Sequence, residues 1–135
     1  MTHAERLARI RLIRTAHVGP VSWHQLVQRF GSGEAALAAL PELALRGGGG
    51  QPRIAPAELA EREMERVADL GARHLFHDEP DYPALLREAE GAPPILIVRG
   101  DAAMLCRPCV AIVGARNASA VACRSTPASA SPRRR

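Results

Sequence analysis

The sequence predicts an α+β or α/β chain in which a helical N-terminal part, residues 1–71, leads into the first strands of an incomplete α/β domain. Three observations carry this expectation. Apolar residues recur at helical spacing from Ala4 to about Asp69. Beyond Gly71 they gather into short runs around His74 to Phe76, Ile95 to Val98 and Val110 to Val113, the pattern of strands. The last run opens into Gly114-Ala115-Arg116-Asn117-Ala118-Ser119, a glycine loop of the kind that follows a buried strand.

Leu7, Ile10 and Ile13 form the apolar stripe of a first helix between Ala4 and Thr15, with arginines on its other faces. The turn Ala16-His17-Val18-Gly19-Pro20 breaks it. Ser22 and Gln25 make a capping-box pattern for a second helix, whose apolar face is Trp23, Leu26, Val27 and Phe30 and which Gly31 ends. Ser32 is a cap for a third, short helix that buries Ala36, Leu37 and Leu40 and closes or restarts at Pro41. Gly47 to Pro52 lack packing side chains and read as a flexible insertion. Pro56 suits the first turn of a fourth helix running to about Asp69, with Ala60, Met64 and Val67 on one face and Gly71 just past its end. Between the first two strands lie the turn Asp78 to Pro83, a short helix with Leu85 and Leu86, and the stiff pair Pro93-Pro94. Residues 121–135 are Ser, Ala, Pro and Arg without periodicity and are expected to form a disordered basic tail.

Composition narrows the function classes. All 18 basic residues are arginine, and the net charge is +4. Residues 1–120 hold as many arginines as acidic residues, so the surplus comes from Arg124, Arg133, Arg134 and Arg135. A high isoelectric point therefore does not by itself argue for nucleic-acid binding, which needs positive charge gathered on one presented surface. No segment has the apolar length of a membrane span and the N-terminus lacks a signal-peptide pattern, so a cytoplasmic location is expected. Three cysteines in such a chain argue for reduced thiols.

Two places could hold a phosphate. Gly114 lets backbone approach, Arg116 can make a forked contact, and Asn117 and Ser119 can add hydrogen bonds; the alternative is a plain strand-to-loop turn. The loop is neither a dinucleotide fingerprint nor a P-loop, since the second glycine of the one and the Gly-Lys pair of the other are missing. Gly19, between two amphipathic helices, can offer backbone amides to DNA as in a helix-hairpin-helix, or can simply permit a tight turn. Cys106 and Cys109 have zinc-pair spacing and His74 and His77 could complete four ligands, but two ordinary thiols is the reading preferred, with no metal and no cofactor. Asp78, Glu79 and Asp81 between two prolines read as turn and cap residues rather than acid-base machinery. No catalytic constellation emerges.

Several blocks in fixed order resemble the DprA/Smf family of DNA-processing proteins. They are Arg14 to Pro20 leading to Leu26 through Ser32, Asp78-Glu79-Pro80-Asp81-Tyr82-Pro83-Ala84-Leu85-Leu86, Pro93-Pro94-Ile95-Leu96-Ile97-Val98-Arg99-Gly100, and the run ending Gly114 to Ser119. The resemblance implies a SAM-like or helix-hairpin-helix domain followed by a Rossmann-like domain, here 72–120. It further implies a non-enzymatic protein of natural transformation that binds single-stranded DNA, forms a homodimer and helps load RecA recombinase. Gly114, Arg116 and Ser119 fall on the family's glycine-arginine loop. Family members continue with a Tyr-Gly or similar pair and a long helix, whereas Ala120 onward turns to Ser, Pro and Arg. This departure predicts a truncated or frameshifted product with impaired activity. The other readings are an autonomous helix-hairpin-helix module binding DNA or protein, and a Rossmann-type nucleotide-binding enzyme.

Overall fold

The computed structural model describes residues 1–48 and 52–108. Four helices, α1 (His3–Arg14), α2 (Pro20–Phe30), α3 (Gly33–Arg46) and α4 (Ala57–Asp69), precede strand β1 (Ala72–Phe76), the single-turn helix α5 (Ala84–Arg87), strand β2 (Ile95–Arg99) and a 3-10 turn (Ala102–Cys106). β1 and β2 pair antiparallel, with Ala72 opposite Arg99 and Phe76 opposite Ile95. The expected strand at Val110 to Val113, the loop Gly114 to Ser119 and the tail 121–135 lie outside the described residues.

α1 is the central element and packs against α2, α3 and α4. Thr2 caps it by accepting from the Glu5 N–H at 3.2 Å. The predicted stripe of Leu7, Ile10 and Ile13 packs as expected, but a second face is buried as well: Ala8 and Leu12 join Trp23, Ala36, Leu37 and Leu40 in one core cluster. Arg9, on one of the arginine-bearing faces outside that stripe, is buried too. Its guanidinium bonds Glu5 and Asp78, which is what allows a charged residue to leave water.

Two helix limits differ from the sequence reading. α2 begins at Pro20, with Gly19 as its cap and no side-chain capping bond, so Ser22 is an interior residue of the first turn rather than the cap. The fixed φ of proline is already helical and its missing N–H has no intrahelical acceptor to lose, so Pro20 starts the helix without help from Ser22. α3 does not close at Pro41 but runs through it to Arg46. Pro41 is exposed, and the turn beyond it is held by an Arg46–Glu42 ion pair and by partly buried Leu43 and Ala44. Ser32 caps α3 as predicted, accepting from the Ala35 N–H at 3.1 Å.

Close packing of α1 on α3 explains Gly33. A Cβ there would lie 2.8 Å from Arg9 Cγ and 3.0 Å from the Arg9 backbone nitrogen. Gly33→Ala is therefore expected to cost about 1–3 kcal/mol and to lower the thermal midpoint by roughly 5 °C or more, against the modest gain alanine brings to most helices. A differential scanning calorimetry comparison checks this.

The junction between helices and hairpin is tight. Gly71 follows α4 with φ +63°, the left-handed conformation that lets the chain reverse into β1 at once. A second core cluster then joins Ile10 of α1, Ala60 of α4 and Phe76 of β1, flanked by Leu7, Met64 and Ile95. Residue 71 divides helix from strand along the chain, yet the apolar packing continues across it.

Candidate nucleic-acid interface

The acidic turn after β1 is held by arginines from both parts of the chain. Arg6 pairs with Glu79, Arg9 with Asp78 at 2.7 Å, and Arg73 with Asp81 at 2.6 Å. Glu79 also accepts from the Phe76 N–H at 3.1 Å. The sequence reads these three as turn and cap residues; Glu79 caps the turn at the Phe76 N–H, and all three carboxylates have arginine partners that the sequence reading did not supply.

The two proline blocks that carry the family resemblance touch each other. Tyr82, almost wholly buried, donates from its hydroxyl to the Pro93 carbonyl at 2.6 Å, and the His77 N–H donates to the Pro94 carbonyl at 3.0 Å. Burial pushes the Tyr82 hydroxyl pKa up, so it stays a donor. Arg87 completes the clasp by donating to the His77 and Glu79 carbonyls at 3.0 and 2.7 Å.

This clasp meets α2 through a pair of imidazoles. The rings of His24 and His77 stand edge to face with centroids 4.4 Å apart. Nε2 of His24 lies 3.0 Å from the Ala92 carbonyl, and Nε2 of His77 lies 3.3 Å from the Arg87 carbonyl. Burial, helped by the charges of His24 and Arg87, holds the His77 pKa below its ordinary range, against the opposing pull of the Arg87 carbonyl and Asp78. A folded-state pKa below the unfolded one means that protons favour the unfolded chain. Stability is therefore expected to be flat above the ordinary imidazole value of about 6.5 and to fall as pH drops through it toward the lower native value. Glu63 titrates elsewhere: although burial raises its pKa, Arg14 and His74 outweigh that and hold it low, so its contribution disappears only below the usual carboxylate range. Urea midpoints from pH 8 to 3 separate the two limbs, and His77→Gln should flatten the upper one alone.

Of the sequence-predicted site residues, Gly114, Arg116, Asn117 and Ser119 lie outside the described residues, as does Cys109. Cys106 is exposed in the 3-10 turn. His74 is buried with its Nε2 3.3 Å from Glu63 Oε1, so the two histidines weighed as zinc ligands have separate protein partners. Gly19 is exposed at the start of α2 and its carbonyl accepts from the Trp23 N–H at 2.9 Å. The amides of Val21 and Ser22 that follow have no intrahelical acceptor and open at the helix end. Nothing lies within 4 Å of where a Gly19 side chain would begin, so the backbone there is approachable.

Sequence reasoning missed a groove of 850 Å³ between α2 and α3, which the turn Thr15–Val18 and residues Pro52 and Arg53 also line. A signal existed: no acidic residue occurs from Arg6 to Gly33 or from Leu43 to Ala57.

Two comparisons with known families now bear on this arrangement. A family model described as a DprA-like N-terminal HHH domain matches residues 3–65, which span all four helices save the end of α4. A second, described as DNA recombination-mediator protein A, matches residues 73–132. The chain belongs to the DprA family. The DprA match runs past Ser119 and so takes in most of the segment that composition sets apart as a tail. No curated protein matches the chain. As a DprA-type chain it is built of a helical domain followed by a small antiparallel pair of strands, and among the described residues no helix is long and apolar enough to cross a membrane.

Proposed function

We propose that this chain is a single-stranded-DNA-binding recombination mediator of natural transformation, working in the cytoplasm without catalysis of its own. The observation that carries the reading is the tandem order of the two family models, helical domain first and recombination-mediator segment next, with Gly114 to Ser119 inside the second. On this reading Gly114 and the side chains of Arg116, Asn117 and Ser119 hold a backbone phosphate. The open amides beside Gly19 offer a second, weaker contact. Helping RecA onto the strand and pairing of two copies follow as further parts of the same proposal. The Ser-, Pro- and Arg-rich composition after Ser119 has none of the apolar periodicity of a long helix, so binding is expected to be weak.

Fluorescence anisotropy with a labelled oligo-dT tests this. The expected result is weak binding that falls steeply between about 50 and 200 mM salt, with Arg116→Ala weaker still. Binding that resists salt, or no binding at the lower salt, contradicts it.

A further inference from the structure

We propose that the groove between α2 and α3 is a second single-strand subsite, taking an unstacked nucleotide with its base on the apolar floor and its phosphates at Arg29 and Arg53. The proposal rests on the DNA-binding reading above but concerns a site some way along the chain from Gly114 to Ser119. Its first support is charge. No carboxylate lines the groove, while Arg29 and Arg53 both do. Neither forms an ion pair or donates a side-chain hydrogen bond among the described residues. The arginines of α1 differ in kind: Arg6, Arg9 and Arg14 are paired with Glu79, with Glu5 and Asp78, and with Glu63, and Arg11 donates to the Ala55 carbonyl. The groove thus presents two arginines without an ion pair among the described residues, whereas the four arginines of the most arginine-rich helix are all engaged; Arg66 and Arg99, also without an ion pair there, do not line it.

The second support is the floor. Val18, Leu26, Leu40, Leu43 and Pro52 give an apolar surface, and 850 Å³ is within the size range of ligand clefts, roughly 300–1,000 Å³. Unstacked bases bind by laying a π-face on aromatic, guanidinium or apolar groups while the backbone meets positive charge. His17 stands at the mouth with φ +66°, the only non-glycine residue of positive φ among those described. Gln25 and Ser22 add polar groups able to meet a base edge. A duplex keeps its bases stacked and cannot lay one on this floor, so the groove selects a single strand.

Amide shifts in a ¹⁵N-labelled sample of the full chain, titrated with oligo-dT, locate the contact. The expected result is saturable shifts at His17, Val18, Leu26, Arg29, Leu43 and Arg53, lost in R29Q/R53Q while the rest of the spectrum is unchanged. In the anisotropy assay the double variant should bind roughly tenfold more weakly at low salt, with the salt slope reduced by about 1.4, the share of two phosphate contacts on a single strand. Shifts confined to residues 110–119, with R29Q/R53Q binding as well as the parent, overturn the groove and leave the proposed function standing. A duplex that shifts the same groove amides equally overturns the single-strand assignment. No shift anywhere, even at millimolar strand, overturns both.

Discussion

Phe76→Ala is expected to lower the unfolding free energy by about 3–5 kcal/mol, a large share of the roughly 5–15 kcal/mol that holds an ordinary domain together. Phe76 is fully buried. It packs on Ile10 and Ala60, and the Arg6 guanidinium lies 5.1 Å above its ring. Truncation opens a cavity bounded by two helices and a strand pair, which cannot all close in on it. Urea denaturation followed by far-UV circular dichroism measures the loss, with Leu85→Ala as a control: Leu85 is 90% exposed and its truncation should change stability by less than about 0.5 kcal/mol. Because Phe76 belongs to β1 while most of the dichroism comes from α1 to α4, a helical transition unmoved by Phe76→Ala would contradict the shared core.

Arg9→Met is expected to destabilise by about 3 kcal/mol, toward the lower end for breaking a buried ion pair. The arginine side chain is 9% exposed and its partner Glu5 13%, so removing the cation leaves a largely desolvated carboxylate. Glu5 keeps hydrogen bonds from the Gly33 and Glu34 N–H groups at 2.8 and 3.3 Å, which is why the upper end is not reached. Asp78 is more than half exposed and recovers its solvation in water. The double variant Glu5→Gln with Arg9→Met should regain most of the loss, because replacing both members of a buried pair by neutral groups is often close to neutral. A double-mutant cycle on urea midpoints measures the coupling. Equal, additive losses would mean that Arg9 acts through its methylenes and its stacking 5.7 Å over Trp23 rather than through charge.

What could be read from sequence divides along physical lines. α1 to α4, Ser32 as a cap, Gly71 as a stop and both strands follow from local periodicity and backbone chemistry, which act within a few residues. The misplaced limits at Ser22 and Pro41 are cases where one residue's backbone constraint met a competing influence. Pro20 pre-set the first helix earlier, and lateral packing with a charge pair carried the second past its proline. Burial of Arg9 was illegible because its partner Asp78 is 69 residues away. The groove was equally hidden, since it exists only where α2, α3 and residues 52–53 converge. Its acid-free flanks are visible in the sequence, but which arginines remain unpaired is a property of the fold. Tyr82 and Pro93 stood out in the family motifs, and their hydrogen bond gives those motifs a mechanical reason.

The core cluster shared by Ile10, Ala60 and Phe76 bears on how this chain moves. A boundary between two independently folding parts would act as a hinge, letting DNA-bearing segments reorient as a strand is taken up or handed on. Here the hairpin is keyed into the helices by an aromatic plug and by the ion pairs of Arg6 with Glu79 and Arg9 with Asp78. Opening of the strand pair is therefore expected to be coupled to opening of the four helices, which native-state exchange would show as one shared protection level. On the proposed groove reading, a nucleotide seated between α2 and α3 therefore keeps one placement relative to β1 and β2 instead of swinging with a hinge.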